Sequence, residues 1–315
     1  MVNMDAIALF PGQGSQAVGM GALLAAEYPE ARAIFTQADE VLGFPLSKLA
    51  FEGPDEELKL TRNTQPAILM HSIAVLTVLK ERGYSPSAAA GHSLGEYSAY
   101  VAAGSLTFED ALRLVRRRGD LMFEAGIARP GAMAAIVGLD AAALDDICRE
   151  ASSAGIVVPA NRNSPGQVVL SGEVAGVERA MELASARGAR VSVRLPVSGA
   201  FHSPLMESAA QGLSEALKRV DIRDASIPVV ANQSSRPVTT GDEIRVSLER
   251  QLLGSVRWEE SMRWLVANVG GRMVEIGPGR VLKGLMRSID RTAVVATVED
   301  PDGVRAFMAS NGEGK

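Results

Sequence analysis

The chain has 315 residues, 47% of them hydrophobic and 22% charged, a balance that excludes a disordered or fibrous protein. At about 150 residues per domain it has room for about two. With 32 Lys and Arg against 37 Asp and Glu, the net charge of −5 gives the molecule as a whole no attraction for nucleic acid or an anionic membrane. The single cysteine, Cys148, excludes an internal disulfide framework and points to a reducing compartment; with only three histidines beside it, a Cys/His zinc site is not expected.

Met1–Asp5 carries no positive region, and the apolar run Ala6–Phe10 is too short for a signal core. No stretch approaches the roughly 20 apolar residues that span a bilayer, so a soluble cytoplasmic protein is expected. Ala6–Phe10 reads instead as a buried strand, followed by the turn-rich Pro11-Gly-Gln-Gly-Ser-Gln16. A helical region comes next, through Tyr28 to Leu42, with Pro29 marking a restart. A long helix follows from about Pro66 to Arg82, stopped by Gly83. Ala88–Gly91 reads as a strand end, Leu94–Ala103 as a helix closed by Gly104, and Ser105–Gly126 as another helix with Thr107 and Asp110 in a capping pattern.

Residues 128–197 have a different texture. Strand Ala132–Val137, helix Ala141–Ser153, strands Ile156–Ala160 and Gln167–Ser171, helix Val174–Arg187 and strand Arg190–Leu195 give the βαββαβ order of a ferredoxin-like unit. Asn163-Ser-Pro-Gly166 is its hairpin turn. Beyond Pro196 a helix is expected from about Ser203 to Val220, then strand Ile227–Ala231, a helix near Trp258–Asn268, strand Met273–Ile276 and the turn Gly277-Pro-Gly279. The predicted architecture is a larger α/β domain, 1–127 and 198–315, interrupted by a small domain at 128–197.

Gly91-His-Ser-Leu-Gly95 fits G-x-S-x-G, the nucleophile elbow, in which glycines let neighbouring backbones approach a serine on a sharp strand-to-helix turn. An ordinary glycine turn is the plainer reading of the five residues. A nucleophilic serine needs a base. His71 lies within a helix, where a packed histidine is expected, and His92 adjoins Ser93, where adjacent side chains diverge. His202, in the loop Gly199-Ala-Phe-His-Ser-Pro204, is the base by elimination. No aspartate stands out as a third member. The loop at Gly12 imitates a dinucleotide-binding G-x-G-x-x-A, but the second strand and acid that fingerprint needs are replaced by a helical region. An oxyanion loop, with the Gln13 N–H facing the nucleophile, fits better.

On the helix from Phe108, at about 100° per residue, Arg118 falls roughly 60° from the centre of the apolar stripe and Arg113 and Arg117 roughly 160° away, with Arg116 between. A solvated charge run accounts for three of these. Arg118, at the edge of a core face, calls for an anionic partner, and a planar carboxylate suits it best.

Pro11-Gly-Gln-Gly-Ser-Gln16, Gly91-His-Ser-Leu-Gly-Glu96, Arg118-Gly119, Asn163-Ser-Pro-Gly-Gln167 and Gly199-Ala-Phe-His-Ser203 resemble, in order and spacing, the malonyl-CoA:acyl carrier protein transacylases, from Phe10 to about Leu285. The resemblance implies an α/β-hydrolase-like large domain with a parallel sheet and a ferredoxin-like insert. It implies Ser93 as the acylated nucleophile, His202 as its base, an oxyanion hole from the Gln13 and Leu94 N–H groups, and Arg118 as the binder of the malonyl carboxylate. In this family a backbone carbonyl orients the histidine, and Gln251 matches that position. Phe201 beside the histidine goes with malonyl rather than methylmalonyl preference. The implied reaction is ping-pong transfer from malonyl-CoA to the carrier's phosphopantetheine thiol, without metal or redox cofactor, supplying fatty-acid or polyketide synthesis. The acidic carrier calls for a local basic patch, for which Arg190, Lys283 and Arg287 are candidates against ordinary solvated surface. A monomer is expected. Two other readings compete. A serine hydrolase or thioesterase would share the elbow and the histidine but lacks a reason for Arg118. A non-catalytic carrier-binding module would have no use for Ser93, His202 and Arg118 together.

Overall fold

The computed structural model describes residues 6–197 and 199–312. Met1–Asp5, Ser198 at the expected domain boundary and residues 313–315 lie outside the described residues. Strand β1 (Ile7–Phe10) leads into the glycine-rich loop and then into α1 (Ala22–Glu27), α2 (Pro29–Leu42), α3 (Leu46–Glu52), α4 (Asp55–Leu58) and α5 (Thr61–Glu81). After β2 (Ala89–Gly91) come α6 (Gly95–Ala102) and α7 (Phe108–Ala128). Thr107 caps α7 by accepting from the Asp110 N–H at 3.1 Å.

Helix α5 starts five residues before Pro66, earlier than the sequence suggested. Proline lacks the N–H that would bond the Arg62 carbonyl one turn back. That carbonyl accepts instead from Arg116 Nη1 of α7 at 3.3 Å, so a neighbouring helix satisfies what the proline leaves open.

The next segment is β3 (Gly131–Val137), α8 (Ala141–Ala151), β4 (Val157–Ser164), β5 (Gln167–Glu173), α9 (Val174–Ala186) and β6 (Val191–Arg194). Its four strands pair antiparallel in the order β4-β5-β3-β6, with Ser164 opposite Gln167 across the Pro165-Gly166 turn. Side chains alternate across this sheet. Ala132, Ala134 and Ile136 pack under α8 and α9, while Met133 and Ala135 face the opposite way, into the main cavity.

The chain then returns to the first body through a short 3₁₀ turn (Pro204–Met206), α10 (Glu207–Leu217), β7 (Val229–Val230), β8 (Pro237–Val238), α11 (Gly241–Gln251) and α12 (Trp258–Asn268). It ends with β9 (Arg272–Ile276), α13 (Val281–Ile289), β10 (Val294–Val298) and α14 (Pro301–Gly312). The helix expected over Ser203–Val220 is thus divided at Met206, and the strand expected over Ile227–Ala231 keeps only two residues, because Pro228 cannot donate to the ladder. Helices α3, α4, α11, α13 and α14 and strands β8 and β10 had no counterpart in the sequence reading.

The large sheet runs β10-β9-β1-β2-β7-β8 and is parallel except for β8. It is covered on both faces: Ala8 and Phe10 join the core beneath α5, α6 and α7, while Ile7 and Leu9 join Trp258, Met262 and Leu282 of α12 and α13. The two sheets are linked where β4 meets the loop before α12, with Arg162 N–H donating to the Val256 carbonyl at 2.9 Å and Val256 N–H to that of Ala160 at 2.8 Å. Among the described residues no helix is long and apolar enough to cross a membrane.

Candidate active site

Ser93 sits between the C-terminal end of β2 and the start of α6, in the left-handed region at φ 51°. Two glycines make this possible. A Cβ on Gly91 would overlap the Gly95 carbonyl, and one on Gly95 would overlap the carbonyl of Phe10. The elbow is pinned by Asn232, whose Oδ1 accepts from the Ser93 N–H at 2.7 Å and whose Nδ2 donates to the Gly91 carbonyl at 2.6 Å.

His202, also left-handed at φ 57°, faces Ser93 with Nε2 2.8 Å from Oγ. Its Nδ1 lies 3.0 Å from the Gln251 carbonyl and 3.2 Å from that of Gly254. Carbonyl oxygens only accept, so the ring proton is on Nδ1, and Nε2 presents its lone pair to the serine hydroxyl. Gln251 ends α11, where helix carbonyls have no intrahelical partner, so His202 Nδ1 meets a negative helix end where a triad would have an acid. Burial first, and then the positive charge of Arg118, push the His202 pKa down to about 3, so the imidazole is neutral and free to accept a proton.

Arg118 is fully buried rather than at the edge of the core face. Its Nη1 donates to Gln65 Oε1 at 2.6 Å, and its Nη2 to Ser93 Oγ and to Gln251 Oε1, both at 3.1 Å. No carboxylate of the described residues forms an ion pair with it, and Nε has no partner among them. Among the described residues the anionic partner expected from the sequence is therefore not in direct contact with the guanidinium. The other arginines of α7 lie as their angles predicted, Arg113 and Arg117 exposed and Arg116 half-buried.

A cavity of about 290 Å³ opens between the two sheets in front of these groups, lined by Gln13, Leu94 and Phe201 as well as by Ser93, His202 and Arg118. Leu94 precedes the first turn of α6, where N–H groups point out of the helix. The Gln13 loop lies close to the elbow, since a Cβ on Gly12 would meet the His92 carbonyl, and Gln13 Nε2 donates to Thr61 Oγ1 at 3.1 Å. His92 turns away from Ser93: its Nε2 meets Asn163 Oδ1 at 2.8 Å and its ring packs on Trp258, with burial lowering its pKa. His71 is a packed histidine on the Glu299 carbonyl at 2.9 Å, its pKa lowered by burial to about 4.

Lys283 and Arg287 lie one turn apart on the exposed side of α13, whose other side gives Leu282 and Leu285 to the cavity; Arg190 is exposed ahead of β6 in the small sheet. Sequence reasoning missed Gln65, Asn232 and Asn163 as parts of the site. The signal for Gln65 was the polar run Thr61-Arg-Asn-Thr-Gln65 opening an otherwise apolar helix, of which the uncharged Thr61, Asn63, Thr64 and Gln65 are buried.

Residues 8–299 match the acyl transferase domain family. The malonyl CoA-acyl carrier protein transacylase of Bacillus subtilis (strain 168) is 50% identical over 297 residues, 94% of each chain. The enzyme of the same name from Escherichia coli (strain K12) is 44% identical over 301 residues, 95% of this chain and 97% of that one. Among solved structures, an acyl-carrier-protein-S-malonyltransferase from Bartonella henselae superposes with a TM-score of 0.94 at 41% identity, covering 98% of this chain and 99% of that one. A malonyl-transacylase in complex with its type II PKS acyl-carrier protein gives 0.94 at 43% identity, covering 97% and 99%.

Proposed function

The chain belongs to the acyl transferase domain family, and from that premise we propose that Ser93, His202 and Arg118 carry out malonyl transfer from malonyl-CoA to acyl carrier protein through a malonyl-serine ester. The observation that carries the assignment is the Ser93 hydroxyl itself, placed between a neutral imidazole at 2.8 Å and a buried guanidinium at 3.1 Å.

His202 Nε2 takes the Ser93 proton as Oγ attacks the thioester carbonyl. The tetrahedral oxyanion is held by the N–H groups of Leu94 and Gln13. The imidazolium is stabilised by the Gln251 and Gly254 carbonyls on Nδ1. Collapse breaks the C–S bond, the proton on Nε2 passes to the departing sulfur of coenzyme A, and the malonyl group stays on Oγ. The carrier's phosphopantetheine thiol then gives its proton to His202 and attacks the ester, and Ser93 recovers its proton as the C–O bond breaks. Throughout, Arg118 binds the malonyl carboxylate, turning Nη2 and its unpartnered Nε to it, and Phe201 narrows the cavity beside the acyl carbon.

Residues 128–197 serve as a small domain over the site, within a body formed by 1–127 and 198–315. Lys283 and Arg287, with Arg190, receive the acidic carrier at the cavity mouth. The enzyme works in the cytoplasm as a monomer and supplies malonyl units for fatty-acid or polyketide chain building.

Incubation with malonyl-CoA alone, followed by intact-mass spectrometry, tests the assignment. One malonyl adduct on the wild type and none on Ser93→Ala is the expected result. Release of coenzyme A without an adduct would indicate water as the acceptor, and neither adduct nor release would refute the donor.

A further inference from the structure

Glu96, three residues past Ser93 in the first turn of α6, is fully buried and takes no part in the steps above. Its Oε1 accepts from the Tyr100 hydroxyl at 2.9 Å and the Ser247 hydroxyl at 3.3 Å. Its Oε2 accepts from Gln251 Nε2 at 2.7 Å and from the Asn232 N–H at 3.2 Å. Those last two partners reach every working part of the site. Asn232 holds the Ser93 N–H. Gln251 donates from the same Nε2 to the Ser93 carbonyl at 2.9 Å, accepts from Arg118 on Oε1, and orients His202 through its own carbonyl.

Arg118 is a buried cation whose hydrogen bonds go to amides and a hydroxyl and whose guanidinium carbon lies 5.8 Å from the centre of the Tyr97 ring, and none of these groups balances its charge. Burial lowers the pKa of Arg118, and against that penalty Tyr97 and then the nearby charge of Glu96 favour its protonated form. The pKa of Glu96 is raised, by burial above all, while its four donors and its place at a helix N-terminus work the other way and favour the carboxylate. A direct Glu–Arg pair would occupy the N–H groups that a substrate carboxylate needs. An amide between them keeps the charges close and leaves the guanidinium with an open donor at Nε.

We propose that Glu96 is the buried counter-charge of Arg118 and, through Gln251 and Asn232, the positioning residue for Ser93, His202 and Arg118. The proposal rests on malonyl transfer as the function of the site.

Glu96→Gln separates charge from hydrogen bonding. The new amide oxygen accepts from Gln251 and Asn232, and its NH₂ donates to Tyr100 and Ser247, whose hydroxyls rotate to accept. Only the charge leaves. Arg118 then becomes an unbalanced buried cation that a malonyl carboxylate neutralises, so the malonyl group binds more tightly; a site merely loosened by the substitution would bind it less tightly.

The measurement is calorimetric affinity for malonyl-CoA and acetyl-CoA in a Ser93→Ala background, with and without Glu96→Gln. The expected result is tighter binding of malonyl-CoA on the order of tenfold, the usual size of coupling between two sites, with acetyl-CoA unchanged. Unchanged or weaker malonyl-CoA binding, or an equal shift for both donors, would overturn the proposal. If Ser93→Ala alone fails to prefer malonyl-CoA over acetyl-CoA, the reading of the function fails instead. If Glu96→Gln does not fold, adding Arg118→Gln removes both charges together and should restore folding; absence of rescue also overturns it.

Discussion

His202 is 3% exposed and lies beside a guanidinium, two conditions that keep its imidazole uncharged far below the pH at which a solvated histidine gains its proton. As the base proposed for Ser93 it is thus available without titration near pH 6.5. The single-turnover rate of malonyl-serine formation should stay flat from about pH 8 to about pH 5.5, with its acid limb below the ordinary histidine range. Stopped-flow acylation across that interval checks it, and an inflection near 6.5 would mean that the working base is solvated. Among the described residues, Ser93 and His202 are two of the three non-glycine residues with left-handed backbone, the third being Ser235. Such strain persists where surrounding contacts over-determine it, and here Asn232, Gln251 and Gly254 supply those contacts. Both residues could be picked out from the sequence, Ser93 by its flanking glycines and His202 because only three histidines exist. Their mutual geometry could not, since 109 residues separate them.

At the scale of elements, β2, the elbow and α6 position Ser93, and the end of α11 with the turn after it supplies the carbonyls that meet His202 Nδ1. The two elbow glycines are fixed by close approach of backbone to backbone rather than by flexibility. Gly95→Ala would drive a Cβ into the Phe10 carbonyl of β1. Overpacking of this kind costs roughly 1–3 kcal/mol and should displace the start of α6 enough to abolish acylation. Gly284→Ala, in open space within α13, is the control: it should leave acylation intact and hold or raise stability by up to about 1 kcal/mol. Urea midpoints together with adduct formation distinguish the two. Helix α11 carried a readable start, since Thr240 and Glu243 form a capping box, yet its decisive feature, a free C-terminal carbonyl aimed at His202, leaves no mark in side-chain pattern. Helix α5 was misplaced at its start because the partner that tolerates Pro66 lies on α7.

At the scale of the whole molecule, the cavity exists because the helix-free face of the small sheet lies over the C-terminal end of the large one, held there by β4 on the Val256 backbone and by Asn163 on His92. The same burial makes the fold sensitive to acid. His71, on α5, bonds the Glu299 carbonyl just past β10, and its pKa is lowered to about 4. Between its unfolded value near 6.5 and that folded value the unfolded chain holds the extra proton, so this contribution to stability is complete above about pH 6.5 and is lost as the pH falls. Glu275, raised by burial to about 7, contributes in the opposite sense, fully below its ordinary value of 4.5 and lost as the pH rises through 7. A difference measurement isolates the histidine: the melting-temperature advantage of the wild type over His71→Gln should shrink as the pH is lowered from about 7 to about 5. A gap that stays constant would show that His71 does not titrate in the unfolded chain alone.

The amino-acid sequence by itself determined the βαββαβ order of residues 128–197, the strand–turn–helix around Ser93 and the inward lean of Arg118, because each depends on neighbours a few residues apart and on periodicities of two or 3.6. Only the tertiary structure decided what Arg118 rests on, which carbonyls replace an acid behind His202, and how Glu96 is tied to both. Those are contacts between α5, α6, α7 and α11, formed by uncharged polar groups and backbone atoms whose value lies in being buried together. Burial of that kind is a property of the packed molecule, and no local run of residues encodes it.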